Sequence, residues 1–251
     1  MVRFAYVFAL VAALVPELAA AQSARSSALE LIERRRMLTA EEHTHWRGVG
    51  RVNIATFSER GMCTGTLIAE DLVLTAAHCL ISDRTGETYA PGNVHFAAGW
   101  RQGQRVGWSD AKSIAIHPRY AQEGLDDLER IGSDLALIRL RLPIPEDAAP
   151  PFEVAPAAAA RGPLTLVSYR RDRAHALTRQ DGCDLRGARD AVLALGCDVT
   201  FGASGSPLFA EIRGKRRLVA VISAMSRNNG QPIAWAVRLD AAIAEVLAAL
   251  D

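Results

Sequence analysis

Thr75-Ala76-Ala77-His78-Cys79 and, far downstream, Gly202-Ala203-Ser204-Gly205-Ser206-Pro207 put an imidazole and a hydroxyl, each framed by small residues, on one chain. A serine hydroxyl is almost never ionised at neutral pH and needs a base to become a nucleophile. An imidazole with an unperturbed pKa of ~6.5 takes that proton and returns it to a leaving group, provided a carboxylate fixes its tautomer and stabilises the imidazolium. Between the two motifs, Asp134 leads into Leu135-Ala136-Leu137-Ile138-Arg139-Leu140, so the trio runs His78, Asp134, Ser204. The chemistry it would do is acyl transfer through Ser204. The small residues around Ser204 let the backbone turn sharply, and the N–H groups of Gly202 and Ser204 would then form an oxyanion hole, where one lost donor typically costs ~10² to 10³ in rate.

Linear order discriminates between folds that carry such a trio, and His then Asp then Ser is the order of the double β-barrel enzymes. The string around Ser204 also fails the G-x-S-x-G nucleophile elbow, because its fifth residue is Ser206. With TAAHC, SDLALI and GASGSP in this order, the chain resembles the trypsin-like (chymotrypsin-fold) serine peptidases. The resemblance runs from Gly48 to the C-terminus. It implies an all-β fold of two six-stranded antiparallel β-barrels followed by a C-terminal α-helix, a peptide-bond hydrolase, and the triad His78, Asp134 and Ser204. Asp126 and Asp127 lie near, but only Asp134 opens directly onto an alternating apolar strand. Cys63, in Met62-Cys63-Thr64-Gly65, is placed for the family's bond to the cysteine beside the histidine.

The resemblance also implies departures. Animal enzymes carry an acid immediately before the nucleophile, which pairs with an N-terminal amine after zymogen cleavage; here that position is Ala203. Ser206 replaces the usual glycine, as in the bacterial branch that includes glutamyl endopeptidases. In the substrate pocket, Asp198 falls where trypsin has its S1 aspartate. Ser223 matches the strand serine, and Met225 stands where trypsin has a pocket-lining glycine. The histidine that glutamyl endopeptidases use just before that serine is Ile222 here, so a basic or broad preference before the cut is expected. His117, in Ile116-His117-Pro118, matches a structural loop histidine of the family. A rival from another class is a protease-fold binding or regulatory protein that does not turn over, for which Ala203 and Met225 would be signs of drift.

The surrounding elements must position these residues. The chain has 251 residues, 49% of them hydrophobic, and a formal net charge of +1, enough for a sizeable core. Its arginines are spread and balanced by acids, so no nucleic-acid footprint is present. Met1-Val2-Arg3, the apolar run Phe4–Val15 and Ala19-Ala20-Ala21 form a signal peptide over 1–21. That run is too short for the ~20 residues of a membrane span. A secreted or periplasmic monomer acting on protein or peptide substrates is expected, with no membrane association after signal cleavage. Export makes disulfides the default for four cysteines. Three pairings exist; Cys63–Cys79 and Cys183–Cys197 are the short-range choices, each closing a loop of about 15 residues and worth roughly 3 kcal/mol in the chain-entropy model. A thiolate zinc site would need paired C-x-x-C spacing, and His43, His45, His95 and His175 show no H-E-x-x-H pattern, so neither metal nor cofactor is implied.

Residues 22–47, rich in Glu and Arg, are expected to form an N-terminal extension or pro-segment, cut at Arg34-Arg35-Arg36 or after Arg47, or else a solvated helix. Short β-type runs then follow: Val52–Phe57, Gly65–Ile68, Leu72–Thr75, Val94–Ala98, Ser113–Ile116 and Leu135–Leu140. The Pro- and Ala-rich stretch Pro143–Pro163 divides a first barrel (48–145) from a second (146–251). The second carries Leu164–Ser168, Ala191–Leu195, Pro207–Ala210, Leu218–Ser223 and Ile233–Val237. Leu239, Ile243, Val246, Leu247 and Leu250 share one helical face at the end of the chain.

Overall fold

Fourteen strands dominate the computed structural model, which describes residues 35–250 apart from 121, 123, 161 and 241. The chain divides into two compact units, residues 1–36 and 37–251, and thirteen of the strands lie wholly in the second. The expected signal peptide lies outside the described residues. Among those described, no helix is long and apolar enough to cross a membrane.

The first six of those thirteen are β1 (Val49–Ala55), β2 (Arg60–Ala69), β3 (Leu72–Thr75), β4 (Val94–Ala98), β5 (Gly107–Ile116) and β6 (Ala136–Leu140). They close into an antiparallel barrel in the order β1-β2-β3-β6-β5-β4, with β1 pairing β4 from Gly50↔Ala98 to Ile54↔Val94. Alternate side chains fill it: Val52, Leu67, Val73, Phe96 and Ile138 are all buried. A closed ladder leaves no free edge in this barrel.

The second set is β7 (Leu164–Arg170), β8 (Arg173–Cys183), β9 (Leu185–Arg189), β10 (Val192–Leu195), β11 (Pro207–Ile212), β12 (Lys215–Asn228) and β13 (Gln231–Arg238). Neighbours run β8-β7-β11-β12-β13-β10-β9. β8 and β9 are separated by Asp184 alone, so they form one bent strand that pairs β7 with its first part and β10 with its second. Counted that way, six strands go round. The Cys183–Cys197 disulfide ties this bend to the end of β10, and Cys63–Cys79 ties β2 to the turn after β3.

Neither β8 nor β9 was expected from the sequence. β8 mixes Arg, His, Gln and Asp with its apolar residues, and every residue of β9 is exposed. Beyond the short helix α1 (Ala40–His43), the helix α2 (Asp127–Gly132) was also missed, although Asp126 and Glu129 form a capping box, with Glu129 N donating to Asp126 Oδ1 at 2.8 Å. The last helix, α3 (Ala242–Ala248), buries Ala242 and Val246, while Leu247 is exposed rather than on the packed face.

The two barrels meet along an apolar seam. Trp46, Phe152 and Phe209 form its centre, with ring centroids 4.7 to 6.1 Å apart, and Leu137, Tyr169 and Val237 pack around them. Leu38, at 1% exposure, and Trp46, at 2%, belong to this seam. Leu38, His43 and Trp46 of the 22–47 stretch are thus buried in the second unit, while most of the residues between them are exposed. The stretch's charges hid this, because only two large apolar side chains do the packing. Trp46→Ala is expected to cost about 3–5 kcal/mol in urea unfolding, the range for deleting a buried Trp. A loss below about 1 kcal/mol would show that the seam does not depend on this residue.

Candidate active site

His78 sits one turn past β3, in the 3-10 segment Ala77–Leu80. Ala77 and Leu80 are fully buried in the first barrel and Cys79 is held by its disulfide to Cys63, so the turn is anchored on both sides of the imidazole. Asp134 lies where α2 gives way to β6. Its own N–H donates to Ile131 O at 3.1 Å, and Ser133 caps α2 through Glu129 O. Both loops leave barrel strands that are paired with each other, Thr75↔Ala136 among them.

Three donors converge on the Asp134 carboxylate, which is 3% exposed. His78 N–H reaches Oδ1 at 2.9 Å, His78 Nδ1 reaches Oδ2 at 2.7 Å, and Ser223 Oγ donates to Oδ2 at 2.5 Å. A carboxylate oxygen only accepts, so Nδ1 carries the ring proton and Nε2 presents a lone pair. Burial acts to lower the His78 pKa, but the Asp134 charge, its hydrogen bond and the more distant Asp83 outweigh it. The net result is a pKa above the ordinary 6.5.

Ser204 comes from the second barrel, in the loop between β10 and β11. His78 and Ser204 line one cleft of about 630 Å³ at the junction of the barrels, along with Gly202, Ser223 and Met225. No hydrogen bond joins Ser204 to His78 among the described residues. Such contacts are often long in ligand-free enzymes and tighten with substrate.

The loop that carries Ser204 is bent by Gly202 (φ +89°) and Gly205 (φ +77°). A side chain on Gly205 would run into the Thr64 carbonyl and the Thr75 hydroxyl. Peptide orientation is fixed by carbonyls: Arg171 N donates to Phe201 O at 2.8 Å and Ser206 N to Ala203 O at 3.0 Å. In a trans peptide the N–H points opposite to the C=O. The N–H groups of Gly202 and Ser204 are thereby turned away from those bonds, and neither has an acceptor among the described residues.

Ala203 itself is 1% exposed within an apolar cluster that includes Leu208 and Val219, where a carboxylate would be costly without a partner. Asp198 stands apart from the rest of the expected site. It does not line the cleft; its backbone carbonyl accepts from the buried Arg170 at 2.9 Å, and its carboxylate lies 3.9 Å from the same guanidinium. Ser223 does line the cleft, but its hydroxyl is committed to Asp134. Met225 is 45% exposed on the cleft wall. His117 is buried away from the cleft, accepting from Arg119 N at 3.3 Å and facing Glu245. Cys63, His78 and Cys79 are near enough to share an ion, but the disulfide removes both thiolates.

A family model for the trypsin-like peptidase domain matches residues 63–221. The chain belongs to the trypsin-like peptidase family. Serine protease 23 from Homo sapiens is 26% identical over 191 residues, 64% of this chain and 48% of that protein. This peptidase-family chain thus spans about half the length of those curated relatives. Trypsin-4 from Rattus norvegicus is 36% identical over 84 residues, 32% of this chain and 28% of that one. Among solved structures, a Glu endopeptidase in complex with MPD superposes with a TM-score of 0.71 at 17% identity, covering 85% of this chain and 94% of its own. Protease Anisep from Arthrobacter nicotinovorans gives 0.67 at 18%, covering 86% and 100%. At these identities the structural likeness is one of fold, and that fold is chymotrypsin-like.

A raised His78 pKa has two consequences, one for reactivity and one for stability. The neutral ring is the proton acceptor, so reactivity should rise with pH through a midpoint above 6.5. Protonated His78 is the form the fold favours, a stabilisation fully present below the unfolded value of ~6.5 and lost as pH rises through the folded one. NMR titration of the imidazole is expected to show that raised midpoint, and Asp134→Asn should bring it down. A wild-type midpoint at or below 6.5 would contradict the pairing.

Proposed function

We propose that this chain is an exported serine endopeptidase that cuts peptide bonds through His78, Asp134 and Ser204. The observation that carries the reading is the double hydrogen bond of Asp134 to His78, in the cleft that also holds Ser204 and two unengaged N–H groups. Ser204 Oγ attacks the substrate carbonyl carbon while His78 Nε2 takes the hydroxyl proton. The carbonyl oxygen, now negative, accepts from the N–H groups of Gly202 and Ser204. His78 hands the proton to the leaving nitrogen, the C–N bond breaks, and an acyl ester remains on Ser204. Water, losing a proton to His78, adds to that ester and frees the acid and the serine.

Secretion or periplasmic residence, after removal of residues 1–21, is supported by two disulfides and the N-terminal apolar run. The burial of Leu38 and Trp46 favours a processing cut at Arg34-Arg35-Arg36 over one after Arg47. On specificity, the charge of Asp198 is offset by Arg170, and Met225 narrows the cleft wall. A broad preference is therefore favoured over a strictly basic one.

A fluorophosphonate probe should label the processed protein on Ser204 and leave Ser204→Ala unlabelled, and the labelled enzyme should lose its cleavage of a peptide library. Labelling of both proteins, or of neither, would overturn the nucleophile assignment. Cleavage confined to bonds after Arg and Lys would overturn the broad preference while leaving the nucleophile intact.

A further inference from the structure

Thr64 is wholly buried on β2, does not line the cleft, and bonds to the Ser204 loop at two points. Its N–H donates to Ser204 O at 2.9 Å. Its hydroxyl donates to Gly202 O at 2.9 Å and accepts from Tyr169 N at 3.0 Å. Its carbonyl in turn accepts from Thr75 Oγ1 at 2.8 Å, three residues before His78. One residue thus spans the loop that bears both oxyanion donors, from Gly202 to Ser204, and joins it to the strand that carries the imidazole.

The loop has little else of this kind. Ala203 offers no charge with which to form an ion pair, and its apolar surroundings would not receive one. The remaining restraints on residues 200–206 are backbone bonds and the two positive-φ glycines. The Gly202 carbonyl shares its peptide with Ala203 N–H, which donates to Thr200 O at 3.0 Å, and this peptide lies between the two whose N–H groups face the cleft, so an unrestrained Gly202 carbonyl would free both of those neighbours to rotate. A hydroxyl that donates on one side and accepts on the other holds that carbonyl in a single orientation. Removing it would leave the Gly202 carbonyl and the Tyr169 N–H buried and without their partner, which the protein can relieve only by moving the loop.

We propose that Thr64 is a positioning residue whose hydroxyl, by fixing the Gly202 carbonyl, holds the oxyanion hole open with no contribution from a free N-terminal amine. The proposal rests on the reading of Ser204 as nucleophile and deepens it. It assigns to a neutral hydroxyl the task of shaping the loop, at a position where Ala203 excludes an ion pair. Thr64 does not touch the reacting atoms. Its effect is expected only where the oxyanion develops.

The test compares Thr64→Val, which keeps the shape and loses the hydroxyl, with Thr64→Ser, which keeps the hydroxyl. In the valine variant kcat should fall by roughly 10- to 100-fold, short of or equal to the loss of a whole donor, with KM within about twofold. The affinity of a peptide aldehyde, which forms a tetrahedral oxyanion, should fall by about the same factor as kcat. Thr64→Ser should restore both to within about threefold of wild type. Equal impairment of the two variants, an unchanged kcat in Thr64→Val, or a change confined to KM would overturn the assignment.

A second arm needs no variant. Wild-type protein whose α-amine has been carbamylated should keep its kcat, and a tenfold or greater loss would show that the amine shapes the loop. This arm decides the question even if Thr64→Val does not fold. Wild-type protein that neither turns over peptides nor reacts with a fluorophosphonate would instead refute the nucleophile itself, and with it the proposal.

Discussion

The site depends on how the two barrels are held against each other. His78 and Asp134 leave the first barrel, while Gly202, Ser204 and Ser223 leave the second. An error of 1 Å in their relation would separate the imidazole from the hydroxyl. Two kinds of force set this relation, and they do different work. The rings of Trp46 and Phe209 are buried between the barrels, each large enough to contribute about 1.5–3 kcal/mol or more by removal from water, and the partly buried Phe152 packs against both. That force has no preferred angle.

Direction comes from the polar bonds across the junction: Ser223 to Asp134, Thr64 N–H to Ser204 O, and Thr64 Oγ1 to Gly202 O. Each is worth only about 1 kcal/mol net when made, but leaving its buried partner unsatisfied costs about 1–3 kcal/mol. A misaligned seam would therefore keep most of its apolar gain and lose several of these bonds together. The hydrogen bonds select among packings that the rings alone would tolerate. The same logic explains Gly205, where the Ser204 loop passes so close to Thr64 and Thr75 that no side chain fits.

The residues that meet around the cleft were legible in the sequence, because His78, Asp134 and Ser204 each sit in a short motif whose local pattern suffices. His78 is framed by buried small residues and a cysteine, and Asp134 by an alternating strand. Both disulfides follow the short-range pairing. What was not legible depends on partners distant in the chain. The bonds of Thr64 to Tyr169 and Gly202 span 105 and 138 residues, and no spacing rule marks such a hydroxyl in advance. Asp198 was placed by an ungapped count from Ser204. The count was blind to Arg170, which the turn from β7 to β8 buries beside it. The β8–β9 bend escaped notice for another reason: β8 sets Arg, His, Gln and Asp among its apolar residues and β9 is exposed throughout, so neither carries apolar alternation. Leu38 and Trp46 were hidden by the charges around them.

The central claim is that one cleft joins a serine nucleophile to an imidazole and to two N–H donors already aimed at the developing oxyanion. A crystal structure with a peptide boronic acid tests it most directly, since a tetrahedral boronate copies the intermediate's shape. The account predicts boron bonded to Ser204 Oγ, one boronate oxygen accepting from the N–H groups of Gly202 and Ser204, and His78 Nε2 within hydrogen-bond reach of the adduct. Boron on another side chain, or a boronate oxygen turned to solvent with those two N–H groups left empty, would contradict it.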